Sequence, residues 1–244
     1  MEKFANFTNT KIGYGNPKGA YWFIGPEEGG DIMSNHDRMK VWSELGENKH
    51  FHDMKDFHLA LCNLNTNYKQ DLERFFVGDK IKLQSTWNGI IEILFGIIDN
   101  PNSIEDKRKY QSNELGSKNG DTIIGELFPF SSKNLNDQMC EEYFGSSKKK
   151  YWANYSIARE ILLAKQIEKY APKVVVFYST TFSSNWKRII ERFDSNLNNI
   201  QTHAELPFSY HKTSKTLFVI MPHPRARQLN KKKSEVGKAI KELM

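Results

Sequence analysis

Two apolar runs in the second half of the chain decide the fold: residues 173–178 read KVVVFY, and residues 216–221 read TLFVIM. Both runs are short, rich in β-branched and aromatic residues, and bounded by polar residues or proline, which is typical of strands buried on both faces. Residues 20–25 (AYWFIG) have the same character and are expected to form the first ordered element. Residues 122–127 (TIIGEL) predict a fourth strand.

Helical sequence separates these runs. Helices are predicted over residues 37–45, 68–77, 87–98, 149–170, 183–193 and 231–243. Ser85 is a candidate cap for the helix at 87–98, and residues 101–120 predict a polar loop. Strands that alternate with helices are typical of α/β proteins with a parallel sheet. We therefore expect one domain over residues 1–244, with three α/β/α layers and a central, mostly parallel four-stranded sheet.

The composition excludes several classes of protein. Hydrophobic residues make up 39% of the 244 residues, enough for a packed core. No apolar run approaches the roughly 18 residues of a membrane span, and the start MEKFANFTNTK lacks the apolar stretch of a signal peptide. The two cysteines, Cys62 and Cys140, are too few for a disulfide framework or a four-cysteine metal site, so we expect a reducing cytoplasm.

Positive charge is concentrated at the C-terminal end. The formal net charge is +6, and residues 223–244 contain seven Lys or Arg against two Glu. A basic segment of this kind indicates either an anionic partner, with nucleic acid the first choice, or a solvated helix face. Nothing in the sequence indicates a membrane or an obligate protein partner.

Three segments with unusual chemistry follow predicted strands: residues 25–30 (GPEEGG), 126–130 (ELFPF) and 222–227 (PHPRAR). Because parallel strands end at the same edge of a sheet, where α/β proteins bind ligands, we expect these segments to lie together. The first segment lacks the spacing of a phosphate-binding loop. Its two acids suit the activation of water or the stabilisation of a cation, and the alternative is a solvated acidic turn.

The other two segments offer a histidine, arginines and aromatic rings. The flanking prolines fix the backbone of His223, and a neutral imidazole there can donate a hydrogen bond to an oxygen that gains negative charge. The alternative is a structural turn. Arg225 and Arg227 follow and are candidates for phosphate contacts. Phe128 and Phe130 are expected either to stack on a flat ligand or to lie in the core.

An apolar strand that ends in an acidic glycine loop, together with a late strand that ends in His-Pro, resembles the uracil-DNA glycosylase superfamily over residues 21–227. The resemblance implies that fold and hydrolysis of an N-glycosidic bond in DNA, without a metal or organic cofactor. The family's acid falls on Glu27, with Glu28 as the open alternative, and its base-contacting histidine falls on His223. Arg227 falls at the wedge position, and the basic C-terminal segment, which includes Lys231, is expected to contact phosphates.

The sequence departs from the strict uracil enzymes at the base-binding positions. Gly29, followed by Gly30, stands at the position of a tyrosine that blocks substituents at pyrimidine C5. Glu126 stands nearest to the position of an asparagine that recognises uracil. A carboxylate accepts a hydrogen bond from a cytosine amino group and repels uracil O4. Arg225 replaces the serine with which the family contacts a phosphate.

These departures resemble the anti-phage branch of the superfamily, which excises glucosylated 5-hydroxymethylcytosine and leaves abasic sites. Phe128 is expected to be a further contact of the base. Residues 29–63 are expected to form a long polar loop that lines a pocket for the sugar. No lysine stands out as a nucleophile, so a monofunctional glycosylase is expected.

Three other functions remain open: a uracil or mismatch glycosylase in base-excision repair, a non-catalytic sensor of modified DNA, and a small-molecule hydrolase of free nucleosides or nucleotides. The histidines at 50, 52 and 58 lack the spacing of a helical metal-ligand pair, so no metal site is predicted there. Residues 178–181 (YSTT) are expected either to bind DNA phosphates through their hydroxyl groups or to cap a helix.

Overall fold

The computed structural model describes residues 2–30, 34–132, 147–195 and 199–244. Cys140 lies outside the described residues, and Cys62 is a free thiol. The described chain contains eight strands: β1 (Gly13–Gly15), β2 (Tyr21–Gly29), β3 (Phe51–His52), β4 (Thr122–Ser132), β5 (Val174–Tyr178), β6 (Gln201–Thr202), β7 (Ser209–Lys212) and β8 (Leu217–Met221). They form one mixed sheet with the order β3-β1-β4-β2-β5-β8-β7-β6.

The α/β class is confirmed, but the expected four-stranded sheet is wrong in its number of strands. The four predicted strands form the centre of the sheet, where β4, β2, β5 and β8 run parallel. Strands β1 and β7 flank this centre and run antiparallel to β4 and β8. The four additional strands have only two to four residues each. Strands this short depend on pairing with a sheet that already exists.

The helices of the described chain are α1 (Glu2–Thr10), α2 (Ser34–Gly46), α3 (Met54–Leu64), α4 (Lys69–Leu72), α5 (Ser85–Ile98), α6 (Ile104–Asn113), α7 (Lys148–Tyr170), α8 (Ser183–Glu191) and α9 (Lys233–Leu243). Helix α7 packs on α1, α8 and β4, and helix α5 packs on α6 and α9. Every residue of β5 and of β8 is buried. Since successive side chains of a strand point to opposite faces, both faces of the sheet are covered at its centre.

Three predictions about local structure were wrong. Helix α1 and strand β1 precede the run that was expected to be the first ordered element. The acidic segment at residues 26–29 continues β2 rather than forming a loop, because it pairs with the extended end of β4. The predicted loop at 101–120 contains α6, which has few apolar residues but is stabilised by the cap at Ser103 and by an ion pair of 2.9 Å between Lys107 and Glu92.

No helix in the described ranges is long and apolar enough to cross a membrane.

Candidate functional site

A cavity of about 480 Å³ lies at the carboxyl ends of the four parallel strands. Its volume falls within the roughly 300–1,000 Å³ that is typical of small-molecule pockets. All three predicted strand-end segments contribute to its wall, as does the segment at residues 178–181 after β5. The parallel arrangement brings these segments together because each strand ends at the same edge of the sheet.

The cavity contains most, but not all, of the predicted site residues. Its lining includes the expected positions Glu27, Gly29, Glu126, His223 and Arg225. The remaining expected positions, which do not line it, are Gly30, Phe128, Arg227 and Lys231. The positions of these segments after predicted strands therefore indicated the cavity correctly. They did not predict which of the individual residues line it.

Phe128 lies in the core rather than against a ligand. Its ring is fully buried and packs on Tyr151, Trp152 and Phe182, with ring centroids 5.5–6.1 Å apart. Of its two expected roles, the structure therefore supports the core role. Gly30 lies against Ser131, where an added Cβ would approach the serine Cβ to 3.1 Å.

Glu27 is held by two side chains of α7. Its Oε2 atom lies 2.6 Å from Nζ of Lys148, and its Oε1 atom accepts a hydrogen bond of 2.7 Å from the indole of Trp152. The side chains of Glu27 and Lys148 are each only 5% exposed. Breaking a buried ion pair of this kind is costly, so Glu27 has a structural role whatever else it does.

Glu28 also lines the cavity, but its partners differ from those of Glu27. Its Oε2 atom accepts hydrogen bonds from Arg38 at 2.7 Å and from the Tyr14 hydroxyl at 3.1 Å. Burial by itself would raise the pKa of Glu28, but the charges of Arg38 and Lys11 hold that pKa below its ordinary value. Glu28 is therefore an ionised carboxylate at neutral pH.

The pKa of Glu126, in the middle of β4, is shifted in the opposite direction. It is 7% exposed, and its Oε2 atom is buried without a hydrogen-bond partner among the described residues. Burial, with the nearby charge of Glu28, raises the pKa of Glu126 well above its ordinary value. Burial therefore favours the neutral carboxylic acid over the carboxylate that was expected to repel uracil O4.

The His223 ring has a defined tautomer. Its Nδ1 atom accepts a hydrogen bond of 3.2 Å from the backbone N–H of Arg225, and its ring packs edge-on against Tyr178 at 5.5 Å. Burial, together with the charge of Arg225, lowers the pKa of His223. The ring is therefore neutral near pH 7 with its proton on Nε2, which makes Nε2–H the available hydrogen-bond donor.

Tyr178, the last residue of β5, and Ser179 directly after it line the cavity. A Cβ on Gly25 would lie 2.5 Å from the Tyr178 ring, so this position of the ring requires glycine in β2. Ser179 has a φ of 133°, a strained conformation for a residue with a side chain. Its N–H donates to the Met221 carbonyl, and its own carbonyl accepts from the Trp186 indole at 2.9 Å. The residues at 180–182 form a 3-10 helix that leads into α8.

One wall of the cavity was missed by sequence reasoning. Gln84, Thr86 and Trp87, at the start of α5, line it. The Gln84 side chain caps the helix by accepting from the backbone N–H groups of Thr86 and Trp87 at 2.6 and 2.8 Å. A Cβ on Gly89 would lie 2.8 Å from Cβ of Pro224, so glycine in α5 permits the close approach of the His-Pro segment. No local pattern connects residues so distant in sequence.

The basic residues that were expected to bind DNA lie at the surface. Arg225 lines the cavity, and Arg225, Arg227 and Lys231 are all exposed. Arg227 begins a 3-10 helix, Arg227–Leu229, that precedes α9. Within the described ranges none of these three side chains forms an ion pair.

The predicted polar loop at residues 29–63 is wrong, because the segment contains α2, β3 and α3. From it, Gly29 and Met54 line the cavity. The three histidines of this region lie in separate environments: Nδ1 of His50 contacts the Thr10 carbonyl, His52 is buried, and Nδ1 of His58 contacts the Met54 carbonyl. The described part of the chain contains no group of three or more potential metal ligands.

No protein-family model matches the chain, and a search of curated proteins finds no relative.

Proposed function

We propose that this protein is a monofunctional DNA glycosylase that hydrolyses the N-glycosidic bond of a flipped, modified pyrimidine and leaves an abasic site. The expected target is glucosylated 5-hydroxymethylcytosine in phage DNA, and the expected place of action is the cytoplasm. The observation that carries the proposal is the meeting of Glu28, Glu126 and His223 in one cavity at the strand ends. Glu28 supplies a carboxyl group with a lowered pKa, Glu126 supplies one with a raised pKa, and His223 supplies a hydrogen-bond donor.

These groups match the charge that develops when a glycosidic bond breaks. The sugar becomes cationic, and the departing base gains negative charge. A carboxylate near C1′ stabilises the cation and orients the attacking water, and a neutral N–H donor stabilises the oxygen of the base. Glu28 is the stronger candidate for the carboxylate, because both oxygens of Glu27 already have partners on α7.

The surroundings of these groups suit a base that has left the duplex. Trp87 and Tyr14 contribute aromatic surface to the cavity wall. A Cβ at Gly29 would have no heavy atom within 4 Å, so this part of the wall leaves room for a substituent. A flipped base requires a wedge and phosphate contacts, and the exposed Arg225, Arg227 and Lys231 are the candidates for these roles.

Release of uracil is the second candidate function. A neutral carboxylic acid both donates and accepts hydrogen bonds, so it can match the N3 and O4 edge of uracil as well as the N3 and N4 edge of cytosine. Because burial favours the neutral form of Glu126, it weakens the argument against uracil that an ionised carboxylate would provide.

Mass spectrometry of released bases tests the proposal directly. The protein is incubated with unmodified DNA, uracil-containing DNA and phage DNA that carries glucosylated 5-hydroxymethylcytosine. We expect release of the glucosylated base, with abasic sites as the second product. Release of uracil alone would support the repair function, and tight DNA binding without release would support a sensor.

A pair of variants identifies the carboxylate. Glu28→Gln preserves the side-chain shape but removes the charge, and we expect base release to fall by orders of magnitude. Glu27→Gln combined with Lys148→Gln removes the neighbouring charge pair together. If the double variant loses release and Glu28→Gln retains it, the assignment returns to Glu27.

A further inference from the structure

We propose that Glu126 is the general acid of base release, donating its carboxyl proton to N3 of a flipped cytosine ring as the C1′–N1 bond breaks. This inference rests on the proposed glycosylase function and goes beyond base recognition, since Glu126 becomes a reacting group. It also distinguishes cytosine-type bases from uracil by their chemistry rather than by their shape.

The main chain of Glu126 is fixed by two hydrogen bonds. The backbone N–H donates to the Ile12 carbonyl at 2.9 Å, and the backbone carbonyl accepts from the buried guanidinium of Arg159 at 3.0 Å. The side chain lines the cavity and leaves its buried Oε2 atom without a partner among the residues described. An unpartnered buried polar atom is costly, so its position is best explained by a bound ligand.

The charges around Glu126 favour its neutral form. The charged and titratable groups that interact with it electrostatically are Glu27, Glu28, Lys11, Arg38, Arg159 and Tyr178. Burial and the two carboxylates raise the pKa of Glu126 and outweigh the cations. Two carboxyl groups whose environments separate their pKa values in this way form an acid and base pair, here with Glu126 as acid and Glu28 as base.

Cytosine-type bases benefit from such an acid. Cytosine carries a basic lone pair at N3, whereas uracil carries a proton there and cannot accept another. In the proposed step the Glu126 O–H bond breaks and its proton bonds to N3. The electron pair of the C1′–N1 bond stays on the base, which leaves as a neutral molecule. Water adds to C1′ and loses its proton to Glu28, and exchange with solvent restores both carboxyl groups.

The test uses Glu126→Gln, whose amide keeps a donor and an acceptor but has no proton to transfer. On DNA with glucosylated 5-hydroxymethylcytosine we expect kcat to fall by about 10²–10⁴-fold with KM near the wild-type value. The wild-type rate should decline at alkaline pH as Glu126 ionises, and this decline should be absent from the variant. Glu126→Asp retains an acid, so it should keep the alkaline decline and part of the rate.

A second measurement does not depend on activity. An infrared difference spectrum between wild type and Glu126→Gln at neutral pH should contain the carbonyl band of a protonated carboxyl group. Absence of this band, or full kcat in the glutamine variant, would overturn the inference while leaving the glycosylase function intact. If the wild type releases no base from any DNA, the proposed function fails and the general-acid role fails with it.

Discussion

The backbone N–H of Arg225 donates a hydrogen bond to Nδ1 of His223, with 3.2 Å between the two nitrogens. This contact holds the orientation of the ring and leaves Nε2–H available as a hydrogen-bond donor. Pro222 and Pro224 on either side restrict the backbone that carries the histidine. A short segment thereby presents a neutral hydrogen-bond donor at the end of a buried strand.

The first prediction concerns this donor. His223→Ala should lower the rate of base release by about 10²–10³-fold, because a donor aimed at developing negative charge has effects of that size. Single-turnover kinetics with a modified-base oligonucleotide would measure the loss. The matched control is Arg225→Ala, which keeps the backbone N–H and should affect DNA affinity more than the chemical step. Equal chemical rates in wild type and His223→Ala would remove His223 from the mechanism.

The second prediction concerns the buried ion pair between Glu27 and Lys148. Replacing Glu27 by Gln alone should lower the free energy of unfolding by about 3–5 kcal/mol, because it removes the carboxylate that lies 2.6 Å from the buried ammonium of Lys148. Adding Lys148→Gln should recover part of this loss. Urea denaturation of the wild type, both single variants and the double variant measures the coupling. Additive effects of the two substitutions would contradict a tight pair.

The third prediction concerns the open wall at Gly29. Gly29→Tyr should block bases with a substituent at C5, because the new ring has space to extend into the cavity. Gly29→Ala is the matched control and should retain release of the same bases, since its Cβ meets no neighbour within 4 Å. Parallel release assays with substituted and unsubstituted bases measure the effect. Unchanged release by the tyrosine variant would place the C5 substituent elsewhere in the cavity.

The fourth prediction concerns the exposed arginine at the start of the 3-10 helix. If Arg227 is the wedge, Arg227→Ala should reduce base release from duplex DNA more than from single strands. Lys231→Ala is the comparison, because a simple phosphate contact should weaken binding to both. Each lost phosphate contact on duplex DNA should also reduce the slope of log affinity against log salt by about 0.9. Equal losses on both substrates for Arg227→Ala would exclude a wedge.

The fifth prediction concerns stability in acid. Burial lowers the pKa of His52 from an ordinary 6.5 to about 3, with the charges of Lys11 and Lys49 adding to the effect. Between these values the unfolded state binds more protons than the folded state, so the free energy of unfolding falls as pH decreases below about 6.5. The loss should amount to a few kcal/mol.

Urea unfolding at pH 5 and pH 7.5 measures this dependence. His52→Leu should be less sensitive to pH than the wild type, because it removes one buried base. Some dependence should remain, since burial also lowers the pKa of His58. An identical pH dependence in both proteins would show that His52 does not contribute.

The sequence predicted those parts of the fold that depend on local pattern. The apolar runs at 173–178 and 216–221 indicated buried strands, and β5 and β8 occupy them with every residue buried. It did not predict α6, because that helix is stabilised by Lys107 and Gln111, whose partners are distant in sequence. The short outer strands were missed for the same reason, since each depends on the strand beside it.

The candidate site divides in a similar way. The sequence by itself placed Glu27, Glu28, Glu126 and His223 at strand ends, and parallel strands bring such ends to one edge of a sheet. Only the tertiary structure decided that Phe128 belongs to the core, that Lys148 and Trp152 engage Glu27, and that Trp87 joins the cavity. It also decided that the pKa of Glu28 is lowered while the pKa of Glu126 is raised. The physical reason is that the residue type determines which group can titrate, whereas burial and neighbouring charges determine the pKa of that group.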